Sequence, residues 1–217
     1  MLGWLAALAS AVAAAAVVAH WYRRRLDALG RRRAFALVSV LLLAALAIGT
    51  AAPGVLRLRE ERRLGAVASA LAGTRVAVRC QSTDGAFVDA GVELGYVRWR
   101  ADGTPEPVTL IKRDQCRDLA AYLRSGKPRP SRAQVVAVHV LTHESMHLAG
   151  ISDEALAECA AAQRDARTAR LLGAPAGAAR ALAVEYWLAV YLTMPEGYRS
   201  SECRRGGRLD ERLADGP

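Results

Sequence analysis

The chain has 217 residues, enough for one domain of ordinary size plus membrane segments, and a formal net charge of +9. Such a charge ordinarily points to nucleic acid or anionic lipid, yet Arg supplies nearly all of it, since Lys112 and Lys127 are the only lysines. The Arg are scattered and not interleaved with aromatic side chains, which argues against a nucleic-acid interface.

Leu2 to Ala19 is an uninterrupted apolar run, and Ala34 to about Ala52 is a second, ending at Pro53-Gly54. Each is just long enough to span a bilayer as a helix, and Trp21 and Tyr22 fall where an interfacial aromatic belt belongs. Six Arg lie between the runs (Arg23, Arg24, Arg25, Arg31, Arg32, Arg33), and the positive-inside rule predicts that this loop is cytoplasmic. Both termini then face outwards. Arg31-Arg32-Arg33, the second run and Thr50-Ala-Ala52 also resemble a signal peptide cleaved near Ala52. Both readings export the chain from about residue 56 onward. We therefore divide it into residues 1–55, two transmembrane helices with an Arg-rich cytoplasmic loop, and residues 56–217, an exported domain.

The cysteines agree with export. Cys80, Cys116, Cys159 and Cys203 all follow the apolar runs, and an even number in an exported domain predicts two disulfides. Cys80–Cys116 with Cys159–Cys203 is the expected pairing, tying front half and back half separately. No C-x-x-C is present, which argues against a zinc knuckle or a thioredoxin-type site.

Within the exported part, Arg57 to Ala72 reads as a juxtamembrane helix. Arg75 to Gln81 reads as a strand, because Val76 and Val78 alternate with polar residues. Thr83-Asp-Gly-Ala86 is an expected turn. Phe87 to Arg100 has strand character, with Gly91 and Gly95 as bends or bulges. Residues 101–107 read as a loop, Val108 to Ile111 as a short strand, Asp114 to Arg124 as a helix and Ser125 to Pro130 as a linker. A long apolar helix then starts after Ser131, a possible cap, and stops at Gly150. Ser152 is the expected cap of the next helix, from Glu154 to about Leu172. Pro175 to Leu192 is the last long helix, and the Arg- and Gly-rich tail is expected to fray. The fold class predicted is α+β: an N-terminal transmembrane hairpin, then a small sheet in front of a helical half.

The motif that carries chemistry is His143-Glu144-Ser145-Met146-His147. On a helix, positions i and i+4 share a face, so His143 and His147 can offer two imidazoles to one metal ion. Glu144, one residue on, can reach a water beside that metal and act as a general base. Because Val135, Val136, Val138, Val140 and Leu141 make this helix largely buried, its His and Glu need partners. The short link to the next helix forces a hairpin, which brings Glu154 and Glu158, themselves i and i+4, beside the two His. One carboxylate can complete the metal's ligands and the other can orient a His.

H-E-x-x-H followed by E-x-x-A-[DE] resembles the gluzincin branch of the zincin metallopeptidases over roughly Thr142 to Cys159, in a compact form with little chain between the motifs. The resemblance implies a zincin-like metal-binding domain holding zinc on His143, His147 and Glu154, with Glu158 in support and Glu144 as catalytic base. A rival alignment, His143-Glu-x-x-His147-x-x-Gly150-x-x-Asp153, is similar to the metzincin pattern, with Asp153 as third ligand and Met194-Pro195 as a candidate Met-turn. Glu154 is preferred, because the segment after Asp153 reads as a helix.

His139, on the same face as His143, can help bind substrate or bond Glu158, but a satisfied core residue is the preferred reading. Tyr186, Tyr191 and Tyr198 are candidate donors to a developing oxyanion; Tyr198 is preferred, and the first two read as core. The expected function is that of a membrane-anchored extracytoplasmic zinc peptidase acting on a peptide or protein substrate, in contact with the lipid bilayer and not with nucleic acid. The alternative is a non-catalytic membrane-anchored metal-binding module. Oligomeric state is left open.

Overall fold

A computed structural model of the chain describes residues 2–24, 26, 30, 37–82, 91 and 93–214. Most of the Arg-rich loop, the expected turn at 83–86 and the expected strand residues 87–90 and 92 lie outside these. The chain divides into two compact units, Met1–Arg59 and Glu60–Pro217.

The first unit is helical. α1 spans Leu2–Arg23, and α2 starts at Leu37 and runs to Ala72. Both are long and apolar enough to cross a membrane, and large side chains such as Leu8, Leu42 and Ile48 are exposed instead of packed in a core. The expected stop at Pro53-Gly54 does not occur: Pro53 lies inside α2, and the anticipated juxtamembrane helix is its continuation. Pro53 lacks the N–H that would bond the carbonyl of Gly49. Nearby, the Thr50 hydroxyl donates back to the carbonyls of Leu46 and Ala47.

In the second unit, Leu64, Val67, Ala68 and Leu71 on the end of α2 are buried. Three strands follow: β1 (Ala77–Cys80), β2 (Gly95–Trp99) and β3 (Pro105–Ile111). The order is β1-β3-β2, with β1 parallel and β2 antiparallel to β3. β3 begins three residues earlier than expected. Asp102 makes the turn by accepting from the Thr104 amide at 2.9 Å. Pro105 and Pro107 are tolerated because β1 pairs only with Val108–Ile111, so their stretch of β3 has one free side. The irregularity expected at the glycines falls instead between Val97 and Trp99.

The helical half comprises α3 (Arg113–Arg124), α4 (Arg132–Leu148), α5 (Glu154–Ala162), α6 (Asp165–Leu171) and α7 (Ala176–Ala189). α4 is the centre: it meets β2, β3, α3, α5, α6 and α7, and Val135, Ala137, Val138 and Leu141 are fully buried. Ser131 caps it as expected, in a reciprocal capping box with Gln134. Three expectations are corrected. Asp153, not Ser152, caps α5, accepting from the Leu156 amide at 2.9 Å. The helix from Glu154 breaks at Gln163–Arg164, because the Arg164 guanidinium takes the Ala160 carbonyl at 3.0 Å while its amide bonds Ala161 instead. The last long helix ends at Ala189, and Tyr191–Thr193 and Glu196–Tyr198 are short 3-10 turns.

Two disulfides, Cys80–Cys116 and Cys159–Cys203, are the pairs expected. The second anchors the tail to α5, so residues 199–214 are pinned and not frayed: Gln163 donates to the Leu209 carbonyl at 2.9 Å, and Arg164 pairs with Glu211. Disulfides suit an oxidising compartment.

Candidate metal centre

Gly150, at φ +100°, ends α4 in the left-handed region that favours glycine, and its amide bonds the His147 carbonyl. The turn that follows has two consequences. It puts Glu154 at the first position of α5, over the last turn of α4. It also aims the Ile151 carbonyl at His147, whose Nδ1 donates to it at 2.6 Å.

Three atoms converge there. His143 Nε2 lies 2.9 Å from His147 Nε2 and 3.2 Å from Glu154 Oε2, and His147 Nε2 lies 3.5 Å from the same oxygen. Ligands on a tetrahedral zinc, at bonds of about 2.0–2.1 Å, are roughly 3.3 Å apart. The proton inventory gives a stronger test of fit. A backbone carbonyl only accepts, so His147 carries its proton on Nδ1 and turns a lone pair inward at Nε2. Nδ1 of His143 is buried 2.9 Å from Glu158 Oε2, off a straight hydrogen-bond line, and makes no hydrogen bond among the described residues. With its proton on Nε2, His143 donates to Glu154 or His147. With its proton on Nδ1, two lone pairs and a carboxylate oxygen face one another without a donor, an arrangement that suits a cation. Without a metal a proton takes that place. Burial opposes charge on His143, but Glu154 and Glu158 bond it and raise its pKa to about 9. The His147 pKa is lowered, first by burial and then by the charge on His143.

Behind this triad lies a second group. His139 Nδ1 is 2.8 Å from Asp165 Oδ2, and its Nε2 is 3.0 Å from Glu158 Oε2. Tyr186 donates to Glu158 Oε1 at 2.5 Å, and its ring stacks on His139 at 3.6 Å between centroids. Burial opposes charge on His139, but the two carboxylates raise its pKa to about 10. Burial works against ionised Glu158 as well, and the neighbouring His139 and His143 hold its pKa well below the usual carboxylate range. His139, His143 and Glu158 are close enough to hold a metal in their turn. Both ring nitrogens of His139 already face carboxylates, however, so the triad with Glu154 is the better fit. Asp153 belongs to neither group, since its carboxylate caps α5.

Glu144 points to the sheet side. The Thr109 hydroxyl lies 3.2 Å from Glu144 Oε2 and 3.0 Å from the Tyr96 carbonyl. Gly95 allows the approach: a Cβ there would meet Glu144 Oε1 at 2.8 Å. Burial raises the Glu144 pKa to about 7, against the opposing effects of His143 and Thr109.

His143, His147, Glu144 and Glu154 open into a cleft of about 290 Å³. β2 forms one wall, and Val136, Val140, Val190 and Met194 form an apolar side. Tyr198 lines the same cleft, and burial raises its pKa, with Glu154 and Glu158 adding to the effect, so it remains a donor. The structure thus brings together His139, His143, Glu144, His147, Glu154, Glu158 and Tyr198. Sequence reasoning missed Asp165, Thr109 and Gly95 as site residues, and preferred core packing for Tyr186 over a role as oxyanion donor. Asp165 stood inside an expected helix interior, with no spacing to mark it.

No family model, curated protein or solved structure matches this chain.

Proposed function

We propose that the chain is a membrane-anchored zinc-dependent peptidase of zincin type. The convergence of Nε2 of His143 and of His147 with the Glu154 carboxylate, beside a buried Glu144, carries the reading. A bound zinc ion supplies Lewis acidity at these three ligands, polarising a carbonyl and making water more acidic. Glu144, whose pKa of about 7 lies near neutrality, takes the proton of the attacking water and returns it to the leaving nitrogen. Tyr198 donates to the developing oxyanion.

The sheet supports a peptide substrate. One edge is closed: the Glu61 carboxylate accepts the Cys80 amide at 3.0 Å, and the Ser69 hydroxyl the Val76 amide at 3.1 Å. The other edge, β2, pairs only with β3 among the described residues. Leu94 turns its carbonyl to Lys112 in β3's direction, so alternation leaves the peptide groups of Gly95 and Val97 facing the cleft. An extended substrate adds to that edge. The apolar helices and the disulfides support a domain held outside the cytoplasm, and the Arg between the helices supports a cytoplasmic loop.

The test is zinc content and peptide cleavage of the purified chain beside Glu144→Gln. Zinc retained with turnover down about 10²–10⁴-fold supports the base role. A zinc-loaded wild-type chain that cleaves no peptide makes it a binding module instead, and a Glu144→Gln chain as active as wild type removes Glu144 from the chemistry.

A further inference from the structure

A cavity of about 270 Å³ lies between the C-terminal segment and the helices, and shares no lining residue with the cleft. Its walls carry the side chains of Arg204, Arg205, Arg212, Asp210, Gln163 and Trp187. Terminal segments fray unless something ties them down. This one is tied by Cys159–Cys203, by Gln163 to Leu209 and Glu211, and by Arg164 to Glu211. It also contains backbone conformations of little use to packing. Gly206 and Arg212 have φ of +74° and +54°, a region that a non-glycine residue such as Arg212 enters only at a cost. Asp210 holds both bends by accepting from the amides of Gly206 and Arg212 at 2.7 and 2.8 Å.

An Arg-rich protein has many solvated Arg, and three together on a surface mean little. Here the pairing is selective. The acids of the segment are spent elsewhere: Glu202 on Arg208, Glu211 on Arg164, Asp210 on the backbone. Among the described residues Arg204, Arg205 and Arg212 make no ion pair. Among the described residues that line the cavity, three guanidiniums stand against one carboxylate, which leaves two positive charges, and the disulfide and the Gln163 and Arg164 bonds tie the segment that carries them.

We propose that this cavity binds a phosphate-bearing ligand. Guanidinium forks match phosphate oxygens, and two net positive charges suit a phosphate group. The volume exceeds what phosphate alone fills, which leaves room for an organic part against the Trp187 ring. The shared chemistry is a phosphate ester, either a free metabolite or a lipid headgroup.

Calorimetric titration of the full chain in non-ionic detergent tests this with glycerol 3-phosphate, and with dioctanoyl phosphatidylglycerol and phosphatidylcholine in the micelles. Saturable binding with a Kd below about 1 mM is expected for at least one probe. It should weaken tenfold or more in R204Q/R205Q/R212Q and survive in the charge-matched R117Q/R129Q/R180Q. Binding of glycerol 3-phosphate alone assigns a soluble ester, and preference for a lipid assigns a headgroup. No binding of any probe, or equal loss in both triple variants, overturns the proposal. Neither outcome depends on metal or peptidase activity.

Discussion

Two groups of histidines and carboxylates share α4 and differ in how their protons are placed. In the rear group Asp165, His139, Glu158 and Tyr186 are nearly inaccessible, and both His139 nitrogens and the Tyr186 hydroxyl meet carboxylate oxygens. In the front group the inward atoms of His143, His147 and Glu154 converge with at most one proton among them when His143 is neutral, and Glu154 is about half exposed. Both groups set imidazole nitrogens against carboxylate oxygens. What separates a structural network from a ligand set is whether the protein itself supplies the missing positive charge. Behind, the buried His139 supplies it between two carboxylates; in front, a protonated His143 or a bound cation can.

The largest expected effect tests which group takes the metal. If the proposed site holds zinc, His147→Ala or Glu154→Ala removes one of its three proposed ligands and should weaken zinc by about 1000-fold or more, beyond the 10–100-fold typical of supporting partners. Competition with a chromophoric chelator measures it. His143 is close to both groups and does not discriminate. If Glu154→Ala keeps zinc while His139→Ala strips it, the rear group is the metal site.

Asp165→Ala should invert that pattern. It leaves a buried charge short of a partner, at a cost of about 3–5 kcal/mol, read as denaturant unfolding in the presence of chelator. Zinc affinity of the folded fraction should change far less than in Glu154→Ala. The pH dependence has a definite sign. The His139 pKa is raised from 6.5 to about 10, so its contribution is fully present below about pH 6.5 and is lost as pH rises towards 10. Asp165→Ala should flatten that decline. A variant as alkali-sensitive as wild type would falsify the assignment of charge to His139.

Glu158 joins the two groups, touching both His139 and His143. Glu158→Gln keeps the volume and removes the charge, and should cost about 10–100-fold in zinc affinity. The same chelator competition measures it, and an unchanged affinity would mean that Glu158 serves the rear group alone.

The front group was largely legible in the sequence because its spacing is local. His143 and His147 are set by one helical turn, and Glu154 by the shortness of a hairpin that Gly150 announces. The disulfide pairs were legible for a similar reason, as each closes one half of the chain. The rear group was legible only in part. Asp165 reaches His139 because α5 breaks at Arg164, and a guanidinium capturing the Ala160 carbonyl leaves no periodic trace. Thr109 and Gly95 depend on the register of β2 and β3 against α4, which no single segment encodes. The continuity of α2 through Pro53 was misread because proline is a local signal and helices are also held by what lies beyond it.

The smallest expected effect concerns Asp153, the residue next to a ligand. A metzincin-like alignment makes it the third ligand, whereas in this structure its carboxylate accepts the Leu156 amide and begins α5. On a helix, neighbouring residues point about 100° apart, so Asp153 and Glu154 cannot both face the histidines. Asp153→Ala should therefore cost about 1 kcal/mol of stability, the usual loss for an N-cap. Zinc affinity should stay within a few-fold of wild type, because Glu154 is held at α4 by the Gly150 turn as well as by the cap. Asp153→Asn, which can still cap, should recover most of the stability. Loss of zinc in Asp153→Ala, with zinc retained in Glu154→Ala, would instead require α5 to start with its other face towards His147.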